Sequence, residues 1–545
     1  MLISPSTEPN GLHETGLRWH KGSRFTIGWK GHLFLAGLTG GEESVRRLAE
    51  LLATRPLAEL ASDILGIYGL FIHDAQDRTW RAMSDNAGMY KVFHDRRGLS
   101  TSFLKLIQAR GTQAKDTRVE AVVEYLAQGA LFGTYTFVEG VGRLGHDEIL
   151  ILASGRPPIL QKKVLRAPSD DSTATFVASF EGLARSLKGR RLSVDATGGY
   201  DSRVIVCLLK RQGLDFEAAI SGLPGTADTR IAQRVADCVN VPFHLYEHDL
   251  GGLDDDLERV FLAGDGITDL RRFHRDHNNA RARLARGVEI IAHGGAGELF
   301  KDQHTLQDFP FYGSSKINLA RYYDLRVSPV SMSETDFTSK CAEIFKGMRS
   351  RSIKFLESVN SRTNNETYNR IYFFVRSPDL FGQFYSNYIN MGLDVAAPYL
   401  DYRNAQIGIR LPPWQSFFTR WHRRVLTAHC PRLAALPTAE GYTASDAWRH
   451  LPRNLTGFTL TQIRRGAKKA SQRLTGKSRF YRAGAFVADA GNFMGGLRQS
   501  RQYASAIERL KSAGILAPDL DPAGVHDAHV GRMMTMGLLL RRLDG

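Results

Sequence analysis

Apolar and polar residues change their rhythm once along this chain, near residue 170. Before that point, short alternating runs such as Phe25–Trp29, His32–Ala36 and Gly66–Ile72 predict β-strands, with helices over Glu42–Ala53 and Val119–Gln128. Strands that arrive in runs predict an α+β layer with antiparallel sheets. Beyond it helix and strand take turns: helix Thr175–Leu187, strand Leu192–Ala196, helix Ser202–Arg211, strand Phe216–Ser221, helix Thr229–Val239 and strand Phe243–Tyr246. This order predicts a parallel sheet with crossover helices, whose ligand-binding loops gather at the carboxyl ends of the strands. After Leu250 the pattern is helical as far as about Pro452, apart from one strand-like run, Val288–Ala292. The expected division is an α+β segment over residues 1–167, an α/β segment over 168–452 and a basic helical extension over 453–545.

The chain has 545 residues, enough for more than one core, with 43% hydrophobic and 23% charged residues. No apolar run approaches the ~18 residues of a membrane span, and the first residues lack the basic and apolar regions of a leader, which predicts a cytoplasmic protein. Cys207, Cys238, Cys341 and Cys430 are widely spaced and form no paired motif, so neither a zinc site nor a disulfide framework is expected. The formal net charge of +16 admits a polyanionic partner. From Arg464 to Arg482 there are eight basic residues and no acid, with Ile463, Ala467, Ala470 and Leu474 at helical spacing. That stretch is either a solvated helical face or a docking site for an acidic or peptidic partner.

The strongest chemical signal is Ala196-Thr-Gly-Gly-Tyr-Asp-Ser-Arg203, a turn between a strand and a helix. Gly198 and Gly199 let backbone N–H groups approach an anion, and the following helix N-terminus with Thr197 and Ser202 beside it favours a phosphate. Asp201 is a candidate Mg²⁺ ligand. Arg203 is either a bidentate phosphate partner or a solvent-facing first-turn residue. The spacing and lysine of a Walker loop are missing. Strand Phe216–Ser221 runs into Gly222-Leu-Pro-Gly, with Ser221 at the same expected sheet edge and Asp228 a candidate helix cap. Strand Glu289–Ala292 ends in His293-Gly-Gly-Ala-Gly-Glu-Leu-Phe300, and Leu393-Asp-Val-Ala-Ala-Pro-Tyr-Leu-Asp401 and Leu411-Pro-Pro413 follow.

In this order the motifs resemble the synthetase domain of the asparagine synthetase superfamily, which includes β-lactam synthetases and lasso peptide cyclases. The loop is similar to the S-G-G-x-D-S loop of ATP pyrophosphatases, with Thr197 in place of the first serine. Gly66-Ile-Tyr-Gly-Leu-Phe, Asp85-Asn-Ala-Gly-Met-Tyr90 and Thr136-Phe-Val-Glu-Gly-Val141 resemble the family's glutaminase domain, so that the likeness covers roughly residues 25 to 440. The resemblance implies an Ntn-hydrolase-like β-sandwich with helices, followed by an α/β parallel-sheet ATP pyrophosphatase domain with a helical C-terminal part.

It also implies an ATP-dependent amide-forming ligase. A substrate carboxylate attacks the α-phosphate, pyrophosphate leaves, and an amine or ammonia then attacks the acyl adenylate. ATP and Mg²⁺ are the implied cofactors, and a small-molecule or peptide carboxylate with an amine donor is the implied substrate. Thr197, Gly198, Gly199, Asp201, Ser202, Arg203 and Ser221 fall to the nucleotide, and Asp201 and Glu298 to the metal. The chain departs from the family in several places. Position 2 is Leu2, so the glutaminase nucleophile is lacking. Gly297 replaces the second metal-ligating aspartate, for which Glu298 or Asp302 is the candidate substitute. Gly294 replaces the acid/base residue, with His293 as the candidate base beside it or a strand-end histidine held by a structural bond. Pro437–Tyr442 stands where the family has a pyrophosphate-binding lysine. A macrolactam or β-lactam cyclase is the alternative within the class. Outside it stand an RNA-modifying pyrophosphatase, opposed by the lack of paired cysteines, and an ATP-binding protein that has lost turnover.

Overall fold

The computed structural model describes residues 1–170, 172–247, 253–302, 314–438, 441–475 and 486–544. Its architecture is mixed α/β with three sheets. The residues up to 162 build two antiparallel sheets, one of six strands and one of four. The two expected strands around Trp29 are one, Phe25–Leu35, because Lys30 and Gly31 continue the ladder against the long strand Ile64–Asp74. Gly31 permits this: it has φ +82, and a Cβ there would lie 2.4 Å from the Ile67 carbonyl oxygen. Helices Glu42–Leu52 and Val119–Gln128 stand where the apolar periodicity puts them.

The third sheet is parallel, with five strands in the spatial order Phe243–Tyr246, Glu217–Ser221, Leu192–Asp195, Ile290–Ala292 and Asp394–Ala396. The fifth strand lies in a stretch expected to be helical. It is three residues long, too short to show an alternating pattern, and it owes its place to pairing with Ile290–Ala292. Leu192, Ser193 and Val194 are all buried, as a strand covered on both faces requires. The chain steps outward from Leu192–Asp195 to one side, then returns to pair Ile290–Ala292 on the other. The order therefore reverses between these two strands, and their carboxyl ends open a crevice.

One apolar cluster runs from Met1 to Leu543 and includes Phe71, Val194 and Met533, so the three expected segments share a core. The segment after residue 453 is an extension in sequence only. Its last helix, Asp527–Leu543, packs on helices Leu270–Ala285 and Val119–Gln128, with Val530, Met533, Met534 and Thr535 fully buried. Arg532 caps Val119–Gln128 from there by donating to the carbonyls of Leu126 and Ala127 at 3.2 and 3.1 Å. The four cysteines are free, but the fold brings Cys207 and Cys430 together across 223 residues, and the neighbouring Cys207 thiol pushes that of Cys430 down to about 6. Among the described residues no helix is long and apolar enough to cross a membrane.

Two buried lysines give the fold a pH dependence. Lys163 donates to the carbonyls of Ser84 and His146 at 2.6 and 2.8 Å, and Lys91 to that of Gly88 at 2.9 Å. Burial pushes both ammonium groups down to about 7. In the unfolded chain a lysine stays protonated to about pH 10, so the folded state binds fewer protons between the two values. Stability from these groups thus rises with pH from about 7 towards 10, at up to about 1.4 kcal/mol per pH unit for each full proton. Denaturant titrations at pH 7 and 9 should show this rise, and Lys163→Met should reduce it by about half, leaving the share of Lys91.

Candidate active site

Helix Asp201–Arg211 is uncapped by any side chain, and it starts where strand Leu192–Asp195 ends at the crevice. The loop between them is held by its own hydroxyls. Thr197 N–H donates to Ser202 Oγ at 3.0 Å, the Thr197 and Ser202 hydroxyls are 2.9 Å apart, and Gly199 N–H donates to Thr197 Oγ1 at 3.2 Å. Thr197 thus does in the loop what a serine hydroxyl can do, and the first-turn amides have no side-chain cap, the arrangement that can take an anion. The second turn, His293–Gly297, follows the neighbouring strand and meets the first almost atom on atom. A Cβ on Gly294 would lie 3.2 Å from the Ser202 nitrogen, and one on Gly297 would lie 2.3 Å from Asp201 Cγ. Glycine at both positions is what lets the two turns close.

A cavity of about 430 Å³ opens over these turns. Thr197, Asp201, Ser202, Ser221, His293 and Gly294 line it at the sheet edge. One wall is a face of helix Leu270–Ala285 carrying Arg272, Arg275, Asp276, Asn279 and Arg283 at intervals of one helical turn. The adjoining wall is aromatic, with Phe381, Phe384, Tyr385 and Tyr388. Arg283 is paired with Asp195, and Arg275 with Asp276 at 3.3 Å. Arg272 stacks over Phe384 at 5.0 Å, and burial pushes its pKa down, the mark of a guanidinium that lacks solvent. It has no ion-pair partner among the described residues and faces the cavity.

The structure changes the roles of Arg203, Asp228 and Glu298, and gives Asp401 a capping role, one of the two expected of it. Arg203 is fully buried, neither solvent-facing nor in the cavity lining. Its guanidinium donates to the carbonyls of Leu436 (3.0 Å), Pro437 and Gly198 (3.4 Å), which ties the Thr197–Ser202 loop to the start of the Pro437–Tyr442 segment. Ala439 and Glu440 of that segment lie outside the described residues, as do Lys477, Arg479 and Arg482. Asp228 is not the cap of its helix; Thr226 is, accepting from Thr229 N–H at 3.3 Å. Asp401 caps helix Tyr402–Arg410, and Asp394 pairs with Arg18 and Arg190, each at 2.9 Å. Glu298 lies off the cavity lining, where its carboxylate accepts from Tyr372 Oη at 2.9 Å.

His293 does end a strand with a structural bond, and it also faces the cavity. Gly295 N–H donates to its Nδ1 at 2.8 Å, the Tyr385 hydroxyl lies 2.5 Å from the same nitrogen, and Nε2 is 3.6 Å from Asp195 Oδ2. Nδ1 accepting from an amide leaves the ring proton on Nε2, directed at Asp195. The result is a chain from Tyr385 through His293 to Asp195. Burial holds the Tyr385 phenol well above its ordinary pKa, so it stays protonated. Asp195 and Tyr385 were invisible to motif reading. The signal for Asp195 is its place at the end of the strand that feeds the loop.

The fold offers Mg²⁺ little at Asp201. Oδ2 accepts from Lys301 Nζ at 2.6 Å, and His422 Nε2 crowds Oδ1 at 2.7 Å, although neither of these last two atoms has a hydrogen-bond partner among the described residues. Burial opposes the charge on Asp201, but Lys301 and His422 outweigh it and hold the carboxyl well below the usual range. Burial also opposes the Lys301 charge, and Asp201 and Glu298 more than restore it. Among the described residues no group of three or more acids, histidines or cysteines could hold a metal ion, and Asp302 is outside the cavity lining. The fold puts an ammonium where the sequence pattern implies a divalent ion. Lys301→Met should cost about 3 kcal/mol, because it strands a buried carboxylate, and adding Asp201→Asn should return most of that loss in thermal denaturation.

No protein-family model matches this chain, and no curated protein matches it.

Proposed function

We propose that the protein is an ATP-dependent amide-forming ligase of the asparagine synthetase type, working without a glutaminase of its own. One observation carries the reading: the uncapped helix start of the Thr197–Ser202 loop and the end of the His293 strand share one cavity at the reversal point of a parallel sheet. Two antiparallel sheets before residue 163 and a parallel sheet from Leu192 onward agree in order with the frame of that superfamily.

In this account the loop amides and the Thr197 and Ser202 hydroxyls hold phosphate oxygens, with Arg272 and Arg275 supplying positive charge from the facing helix. The aromatic wall takes the apolar part of the carboxylate substrate. Adenylation breaks the α–β phosphate bond and releases pyrophosphate. The incoming amine then attacks the acyl carbon and AMP leaves; the amine's proton passes through the Tyr385 hydroxyl to His293 Nδ1, which gives up its bond from the Gly295 amide, while Asp195 stabilises the imidazolium that forms. Incubation with ATP and a panel of carboxylates and amines should yield AMP and pyrophosphate; ADP and phosphate as products would sink the proposal.

A second reading, an ATP-binding protein without turnover, draws on the engagement of Asp201 by Lys301 and His422. ATP binding with no AMP formed on any substrate would favour it.

A further inference from the structure

Helix Leu451–Thr475 is an amphipathic helix turned inside out. Its inner face is polar and small as well as aromatic. Asn454 is buried and bonds the Thr443 N–H and the Ser445 carbonyl, each at 2.9 Å, Gly457 sits over Tyr442, and Phe458 packs on Phe418 with centroids 4.2 Å apart. Its outer face carries Leu451, Leu455, Leu460 and Ile463, each about half exposed, and Trp448 just before it is 86% exposed. Twelve large apolar side chains are exposed among the described residues, and five of them fall in these sixteen positions. Single exposed apolar residues are ordinary, but such a concentration on one helix marks a surface with an apolar partner.

Charge narrows that partner. From Ala447 to Thr475 the sequence has no acid, while Arg449 and Arg453 are followed by five more arginines and lysines between Arg464 and Arg473. A basic helix with outward leucine and isoleucine and a tryptophan at its start matches an anionic lipid surface, which offers both an apolar phase and negative headgroups. A polynucleotide would be met by charge alone and gives aliphatic side chains nothing. A second copy would bring one basic helix against another.

We infer that Trp448 and helix Leu451–Thr475 form a docking surface for the anionic face of a bilayer, laying the protein on the membrane without crossing it. The test is co-sedimentation of the full-length protein with vesicles of phosphatidylcholine alone and with about one part phosphatidylglycerol in four. The mixed vesicles should retain the protein about tenfold better, and retention should fall at high salt. Leu460→Ser with Ile463→Ser should lower it about fivefold, with unchanged circular dichroism, because both side chains point away from the fold. Equal retention on both vesicles, or a double variant that sediments like the parent, overturns the inference. So does retention of transfer RNA or polyglutamate by the same helix without retention on vesicles, or a dimer that the double variant disperses.

Discussion

Replacing His293 by alanine should leave pyrophosphate release intact and slow amide formation by about 10²- to 10³-fold. The two half-reactions separate because His293 stands in the proton chain and not among the phosphate-binding groups. Adenylation needs a carboxylate already ionised at neutral pH, which needs no base. Aminolysis needs one, because an attacking amine must shed a proton as its bond forms. The Tyr385 hydroxyl is 2.5 Å from His293 Nδ1, and Asp195 lies 3.6 Å from Nε2, so a proton has a path and the resulting imidazolium has a counter-charge. Tyr385→Phe should repeat the defect. Asp195→Asn should also weaken folding, because it leaves Arg283, which is buried, without its partner. Pyrophosphate–ATP exchange measured beside amide yield reads the two steps; an equal loss in both would remove His293 from the amine step.

Arg203→Met should destabilise the protein by about 3 kcal/mol, the largest folding effect expected of any single residue in the loop. The side chain is fully buried and has no carboxylate partner; it is held by three backbone carbonyls. Burial pushes it down to about 10, still protonated at neutral pH. Removing it takes the donor from the part-buried Leu436 and Pro437 carbonyls and frees the loop from the segment that follows helix Pro431–Ala435. Lysine should not rescue, since a single ammonium cannot span carbonyls that a planar fork joins. Denaturant unfolding of the three proteins measures this directly.

The contrast between these residues shows how much of the molecule could be read in its sequence. Periodicity was enough for helix Val119–Gln128 and for the parallel strands Leu192–Asp195 and Phe243–Tyr246, because their apolar patterns run for whole elements. It missed strand Asp394–Ala396, whose three residues are strand only because a neighbour pairs with them. The loop itself was legible, since Gly198-Gly199 and its hydroxyls are local chemistry. Its surroundings were not. Lys301, His422 and Tyr385 reach the site from three places in the chain, and no local pattern marks them; Asp195 is marked only by ending the strand that feeds the loop. Arg203 was misread for the same reason: the carbonyls that claim it are 233 and 234 residues away. Gly297 was noticed as a missing acid, while its positive role, making room for Asp201, depends on a contact that only the fold creates.

The claim at the centre of this account is that the cavity over the Thr197–Ser202 loop holds ATP. The most direct measurement is calorimetric titration with α,β-methylene-ATP, which cannot be cleaved at the proposed bond and needs no knowledge of the carboxylate. The account predicts one site per chain, weakened about tenfold or more by Arg272→Ala and by Gly199→Val, each of which should keep the parent's unfolding profile. No binding, or equal binding by parent and both variants, would contradict it.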